Sequence, residues 1–228
     1  MKGLYLALDL FTLACPLLLS FEKRVHFFKQ WKFALGATLL IAIPFVIWDA
    51  LFTSWGFWGF NTNYTLGIHF AGLPLEELTF FIVVPFACTF IYEVCLYYFS
   101  PGSLRWFNRI FLFAIPAYAL LLALIGGIGY YTLSVVISSA LVLLWSLLTP
   151  KVTHIGIAFL FSLAPFFVVN GILTGSFIDE PVVWYSEAQK VSPRLFTIPM
   201  EDILYSFTLI GANILVYEQL KAKWGKRA

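Results

Sequence analysis

Of the 228 residues, 61% are hydrophobic and 11% are charged, and the mean hydropathy is +0.89. A chain this apolar cannot be given a water-facing surface, which excludes soluble folds and makes lipid the expected solvent. The net charge of +2 is small, so the placement of the 14 basic residues carries more information than their sum.

A helix needs roughly 20 apolar residues to cross the hydrocarbon core. Seven stretches qualify, near 3–20, 32–52, 76–99, 110–128, 130–148, 154–173 and 200–220. The expected fold is all-α, a polytopic membrane protein of seven transmembrane helices. The first stretch is read as a span and not a cleaved signal: Lys2 alone precedes it, Asp9 interrupts it, and no small-residue cleavage site follows. Cys88 and Cys95 stand two helical turns apart and cannot bridge each other, so packing roles are expected for them and for Cys15.

Basic residues cluster after alternate spans. Lys23, Arg24, Lys29 and Lys32 fall in 21–32, Arg105 and Arg109 in 100–109, Lys151 after the fifth span, and Lys221, Lys223, Lys226 and Arg227 in the tail. The other side keeps Lys2, Lys190 and Arg194. The positive-inside rule then places the N-terminus outside and the C-terminus in the cytoplasm of a multi-pass cell-membrane protein. The basic tail suits anionic lipid headgroups and is no nucleic-acid patch.

Residue matches at a nearly constant offset reveal an internal repeat. Pro44, Asp49 and Thr53 match Pro165, Asn170 and Thr174; after a short insertion, Pro74, Glu76, Glu77 and Glu93 match Pro199, Glu201, Asp202 and Glu218. Residues 1–99 form the first three-helix unit, 100–129 the connector with the fourth helix, and 130–228 the second unit with its basic tail. With one connecting span the units run parallel, related by a pseudo-twofold axis along the membrane normal. That symmetry gathers Asp49, Asn170, Glu76, Glu77, Glu201 and Asp202 at similar depth.

Each acidic pair follows a proline at a helix start. The proline's missing N–H costs nothing there, and carboxylates suit the positive end of the helix dipole. Two such pairs place four carboxyls where charge is expensive unless paired or hydrated. Such pairs suit proton chemistry, since burial and mutual repulsion favour keeping one proton while the dipole favours losing it. Glu93 and Glu218, near the inner ends of their helices, are expected to snorkel or pair with a neighbouring Lys or Arg. Asp9 either bonds to a neighbouring helix or joins the polar group.

The segments 53–75 and 174–198 are long for connections, and Trp55, Phe57, Trp58, Phe60, Trp184 and Phe196 make disorder a poor description. Tyr64 and Tyr185 read as interfacial aromatics. Trp58 and Trp184 lie between a helix end and an acidic pair, where a ring face can stabilise a cation. No lysine stands mid-helix to carry a Schiff base. The three histidines lack ligand spacing, so no metal is expected, and no glycine-rich dinucleotide fingerprint is present.

The Pro-x-Glu-[Glu/Asp] pairs, the duplicated three-helix unit, the tryptophan-rich loop and Leu8-Asp9-Leu10 together resemble the membrane lycopene cyclases. Some bacteria carry these as two small subunits, and fungi carry them joined to phytoene synthase. Here both halves share one chain, which looks like the fused form of the heterodimeric bacterial lycopene beta-cyclase. The resemblance implies an isomerase that closes the acyclic ends of lycopene to β-rings, by way of γ-carotene, with no net redox change. It makes Glu76 and Glu201 the central acids, with Glu77 and Asp202 as partners that set protonation. Asp49, Asn170, Trp58, Trp184 and Asp9 follow in a second tier. No bound cofactor is expected, although a requirement for reduced flavin or NAD(P)H stays open. The implied partners are lycopene, the bilayer and other carotenoid-pathway enzymes. Two rival readings are a small transporter of three-plus-one-plus-three design, which Pro44 and Pro165 would suit, and a cyclase of C50 carotenoids.

Overall fold

Without water to satisfy backbone N–H and C=O groups, long apolar runs must become helices, and the ends of those helices are set by local signals. The computed structural model describes residues 1–125, 129–149 and 152–225. Among these lie seven helices: α1 (Leu4–Leu19), α2 (Trp31–Ser54), α3 (Leu75–Tyr98), α4 (Arg105–Ile125), α5 (Tyr130–Leu148), α6 (Ile155–Leu173) and α7 (Glu201–Trp224). Six of them are long and apolar enough to cross a membrane, and α1, with 16 residues, is shorter. Arg105 and Arg109, expected in a loop, open α4 instead. Their long stems let a helical backbone continue while the charged heads reach the interface. Gly126 and Gly127, and the basic residues Lys151, Lys226 and Arg227, fall outside the described residues.

Helices α3 and α7 form the centre. Each begins with its acidic pair in the first turn, and α7 ends with Lys221 and Lys223 in its last, so both of its ends complement the helix dipole. Helix α1 packs along α3, α5 along α7, and α2 against both, while α6 leans on α3. Helix α4 lies outside, with Ile115 and Leu122 as its buried residues. Close approach of α5 and α7 needs Gly211, where an added Cβ would meet Val142 at 2.8 Å. Prolines 16, 44, 85, 116 and 165 sit inside helices. The Pro85 carbonyl accepts from Thr89 Oγ1 at 2.8 Å and from Asn213 Nδ2 at 3.3 Å, which ties α3 to α7. All three cysteines are free, Cys15 exposed and the other two buried.

Short strands order the two long connections, α2 to α3 and α6 to α7. Strand β1 (Trp58–Phe60) pairs antiparallel with β4 (Val183–Tyr185), with Gly59 opposite Trp184. Two hairpins, β2 (His69–Phe70) with β3 (Leu73–Pro74) and β5 (Arg194–Leu195) with β6 (Ile198–Pro199), each run into the proline before an acidic pair. In the first hairpin Ala71 and Gly72 both have positive φ, as a two-residue turn between twisted strands demands.

Candidate active site

A cavity of about 910 Å³ lies between α1, α3, α6 and α7 beneath the β1–β4 pair. Its walls are mostly apolar, and its three carboxyls gather at one end. Asp49 reaches it from the last turns of α2, Glu77 from the first turn of α3, Asn170 from the end of α6 and Asp202 from the first turn of α7. Carboxyls from both halves of the chain therefore face one space.

The hydrogen bonds divide these groups by role. Tyr5 donates to Glu77 Oε2 at 2.5 Å, and the Trp58 indole donates to Asp49 Oδ1. The other oxygen of Asp49 is buried without a partner among the described residues. Asp202 is better supplied: Tyr131 donates to Oδ1 at 2.5 Å, and Asn170 Nδ2 and Tyr185 donate to Oδ2 at 2.8 and 3.1 Å. Asp202 thus accepts three hydrogen bonds where Glu77 and Asp49 accept one each. Around them stand aromatic rings, with Trp58 5.2 Å from Tyr131 edge-on and Tyr131 stacked on Tyr185 at 5.8 Å.

Glu76 and Glu201, expected as the central acids, do not line this cavity. Adjacent helical residues point about 100° apart, so only one member of each pair can face it. Both are fully buried against the loops before them. Glu76 Oε1 accepts from the Leu66 backbone N–H at 2.6 Å; Glu201 Oε1 accepts from the Val191 backbone N–H at 2.6 Å and from Thr132 at 2.7 Å. Asp9 is buried near Glu76, also away from the cavity.

Trp184 does not face the acids either. Period-2 alternation turns Val183 and Tyr185 inward with Trp58 and Phe60, and leaves Trp184 half exposed on the other face, over Gly59. An added Cβ at Gly59 would strike that indole. Tyr185, expected as an interfacial aromatic, is instead a donor to Asp202, and Tyr64 is buried against Tyr5 and Val169. Tyr5, Tyr131 and Tyr205 were not singled out as site residues, yet all three line the cavity. A signal for two of them exists: Tyr5 and Tyr131 stand 126 apart, close to the offset relating Glu77 to Asp202.

At the other end of α3 and α7 lies a second polar cluster. Glu93 accepts from Tyr217 and from Lys221, each at 2.6 Å, and Lys221 is 3.8 Å from Glu218. No group of three or more His, Cys, Asp or Glu side chains suited to a metal occurs among the described residues.

Against known proteins, the lycopene cyclase family model matches residues 2–95 and 129–220. A bifunctional lycopene cyclase/phytoene synthase of Pyrenophora tritici-repentis is 26% identical over 155 residues, 60% of this chain and 27% of that protein. The alignment thus spans about a quarter of that relative's length. No solved structure matches the chain. With both matched segments together covering most of its length, the protein belongs to the lycopene cyclase family.

Proposed function

We propose that the chain is a lycopene β-cyclase of seven spans, its N-terminus outside and its C-terminus cytoplasmic, built from two three-helix repeats joined by α4. The observation that carries the reading is the convergence of Asp49, Glu77 and Asp202, from both halves of the chain, on one largely apolar cavity. An apolar cavity at membrane depth suits a hydrocarbon, and carboxyls at one end of it suit proton chemistry on that hydrocarbon's terminus.

The reaction needs one proton delivered and one removed. A carboxyl of the Glu77–Asp49 pair protonates the terminal double bond, giving a tertiary cation. The π electrons of the internal double bond attack that cation and close the ring, moving the charge onto a ring carbon. Loss of a neighbouring ring proton forms the β-ring double bond, and the isomer departs with no change in electron count. We assign donation to Glu77 with Asp49, which accept one hydrogen bond each, and removal to Asp202, whose three donors favour the carboxylate. The ring faces of Trp58, Tyr131 and Tyr185 face the migrating charge, and a cation over such a face gains about 0.5–2 kcal/mol. These steps call for no redox partner.

The repeat reading gains support from hydrogen bonds that recur in both halves. Tyr5 to Glu77 parallels Tyr131 to Asp202, and Leu66 to Glu76 parallels Val191 to Glu201. Gly59 and Trp184 stand 125 apart and directly opposite each other, as a twofold axis through the strand pair requires. The two segments matching the family also leave out α4.

The test is expression in a lycopene-accumulating bacterium, with pigments separated by chromatography. The wild type should convert lycopene to γ- and β-carotene. Glu77→Gln and Asp202→Asn should lose conversion while remaining inserted, and Glu76→Gln should retain most of it, because an amide oxygen can still accept from Leu66. Unconverted lycopene with inserted wild type would overturn the reading.

A further inference from the structure

The pseudo-twofold arrangement suits a substrate with two like ends, but the carboxyls of both halves serve a single cavity, and that cavity is one-sided. At its outer end α1 closes on α6, with Tyr5 and Leu8 packed against Val169 and Leu173. Further inward the two helices part, and exposed residues of each, among them Phe11, Cys15 and Leu18 of α1 and Ala164 and Val168 of α6, form its rim. The cavity thus opens sideways, at membrane depth, toward lipid.

It also continues. A second apolar hollow of about 480 Å³, lined by Val94, Cys95, Tyr98, Phe99 and Phe161, shares Phe90 and Ile91 with the first. From Glu77 to Tyr98 the floor of this path along α3 is about 32 Å long at 1.5 Å per residue, close to the roughly 30 Å thickness of the hydrocarbon core. A rigid conjugated C40 chain cannot fold back on itself, so it needs a straight apolar path of that kind.

Resting on the cyclase reading above, the geometry points to a tail channel: the α3–α6 groove from Phe90 to Phe161 holds the unreacted half of the polyene. One end alone then meets Glu77 and Asp202 in each binding event, and the bicyclic product requires the monocyclic one to leave, turn end for end and rebind.

The first test uses the intact wild-type protein in lipid nanodiscs, given excess lycopene together with deuterated monocyclic carotene. Free exchange predicts label in the bicyclic product in proportion to its share of the free monocycle. Bicycle formed from lycopene without taking up label would overturn the inference, whereas a wild type that cyclises neither substrate would instead sink the cyclase reading. The second test narrows the channel with Val94→Trp and compares lycopene with an analogue that keeps one acyclic end but has half the tail. Overpacking the groove should lower kcat/KM for lycopene at least about tenfold and leave the short analogue within about twofold. Equal effects on both substrates would place Val94 outside any tail path.

Discussion

The two ends of α3 and α7 carry the same chemistry in opposite circumstances. At the N-terminal end Glu77 and Asp202 each accept from a tyrosine, and at the C-terminal end Glu93 does the same from Tyr217. The Glu93 group is closed by a cation, since Lys221 lies 2.6 Å from Glu93 and within reach of Glu218. Among the described residues no cation pairs with Glu77 or Asp202, and both face a cavity. A carboxyl–tyrosine pair is therefore not in itself a mark of catalysis; what separates the two sites is whether the charge is already balanced by the protein or left for a reacting molecule to meet.

The widest separation between the two ends should appear in activity. In the proposed mechanism Glu77→Gln or Asp202→Asn removes a general acid or base, a loss of about 10²–10⁴-fold in turnover, whereas Glu93→Gln should leave turnover per folded molecule within about threefold. Pigment formation normalised to membrane-inserted protein measures both, and an equal loss at Glu93 would erase the distinction.

Stability should rank them the other way. Lys221→Met leaves Glu93 without its cation and should cost about 1–3 kcal/mol, since breaking a partly buried pair strands a charge. Thermal unfolding in detergent would show it, with the activity of surviving protein unchanged. A smaller effect is expected from Tyr5→Phe, which deletes the 2.5 Å bond to Glu77. Turnover should fall by up to about tenfold, in keeping with roughly 0.5–1.5 kcal/mol for a hydrogen bond to a neutral carboxyl, while Tyr217→Phe should register in stability alone.

The smallest effect lies outside both clusters, in the connection between α6 and α7. Lys190 and then Arg194 hold the Glu187 carboxyl below the ordinary glutamate range through hydrogen bonds of 2.6 and 2.9 Å. A depressed folded value means its contribution is complete above the unfolded glutamate range and vanishes as pH falls through the folded one. Because Glu187 is mostly exposed, the difference between wild type and Glu187→Gln should stay below about 0.5 kcal/mol at pH 7 and close on acidification.

Composition and apolar runs made the helices legible in the sequence, because a bilayer leaves the backbone few alternatives. The acidic pairs were legible as pairs. Which member faces the cavity was not, since it depends on where Leu66 and Val191 present their N–H groups, and those loop positions follow from hairpins that no periodicity announces. Trp184 was misplaced for a simpler reason. Its loop was read by composition when three residues of it form a strand, and alternation alone would have turned it away from the acids. Tyr5 and Tyr131 escaped notice because a tyrosine near a helix start reads as interfacial until its partner is known.

The β1–β4 pair has a consequence for product fidelity. A tertiary carbocation is captured by whatever nucleophile reaches it first, and water would turn a ring into an alcohol. Trp58, Phe60, Val183 and Tyr185 shield the acids from the aqueous side, and the seal holds because Gly59 leaves room for the Trp184 indole above it. In the proposed cyclisation Asp202 gains the proton that Glu77 loses, so its return between them resets the site with that seal shut. Gly59→Ala should therefore do more than slow the enzyme: by lifting the indole it should let water in, and hydroxylated carotenoids should appear beside the cyclic ones.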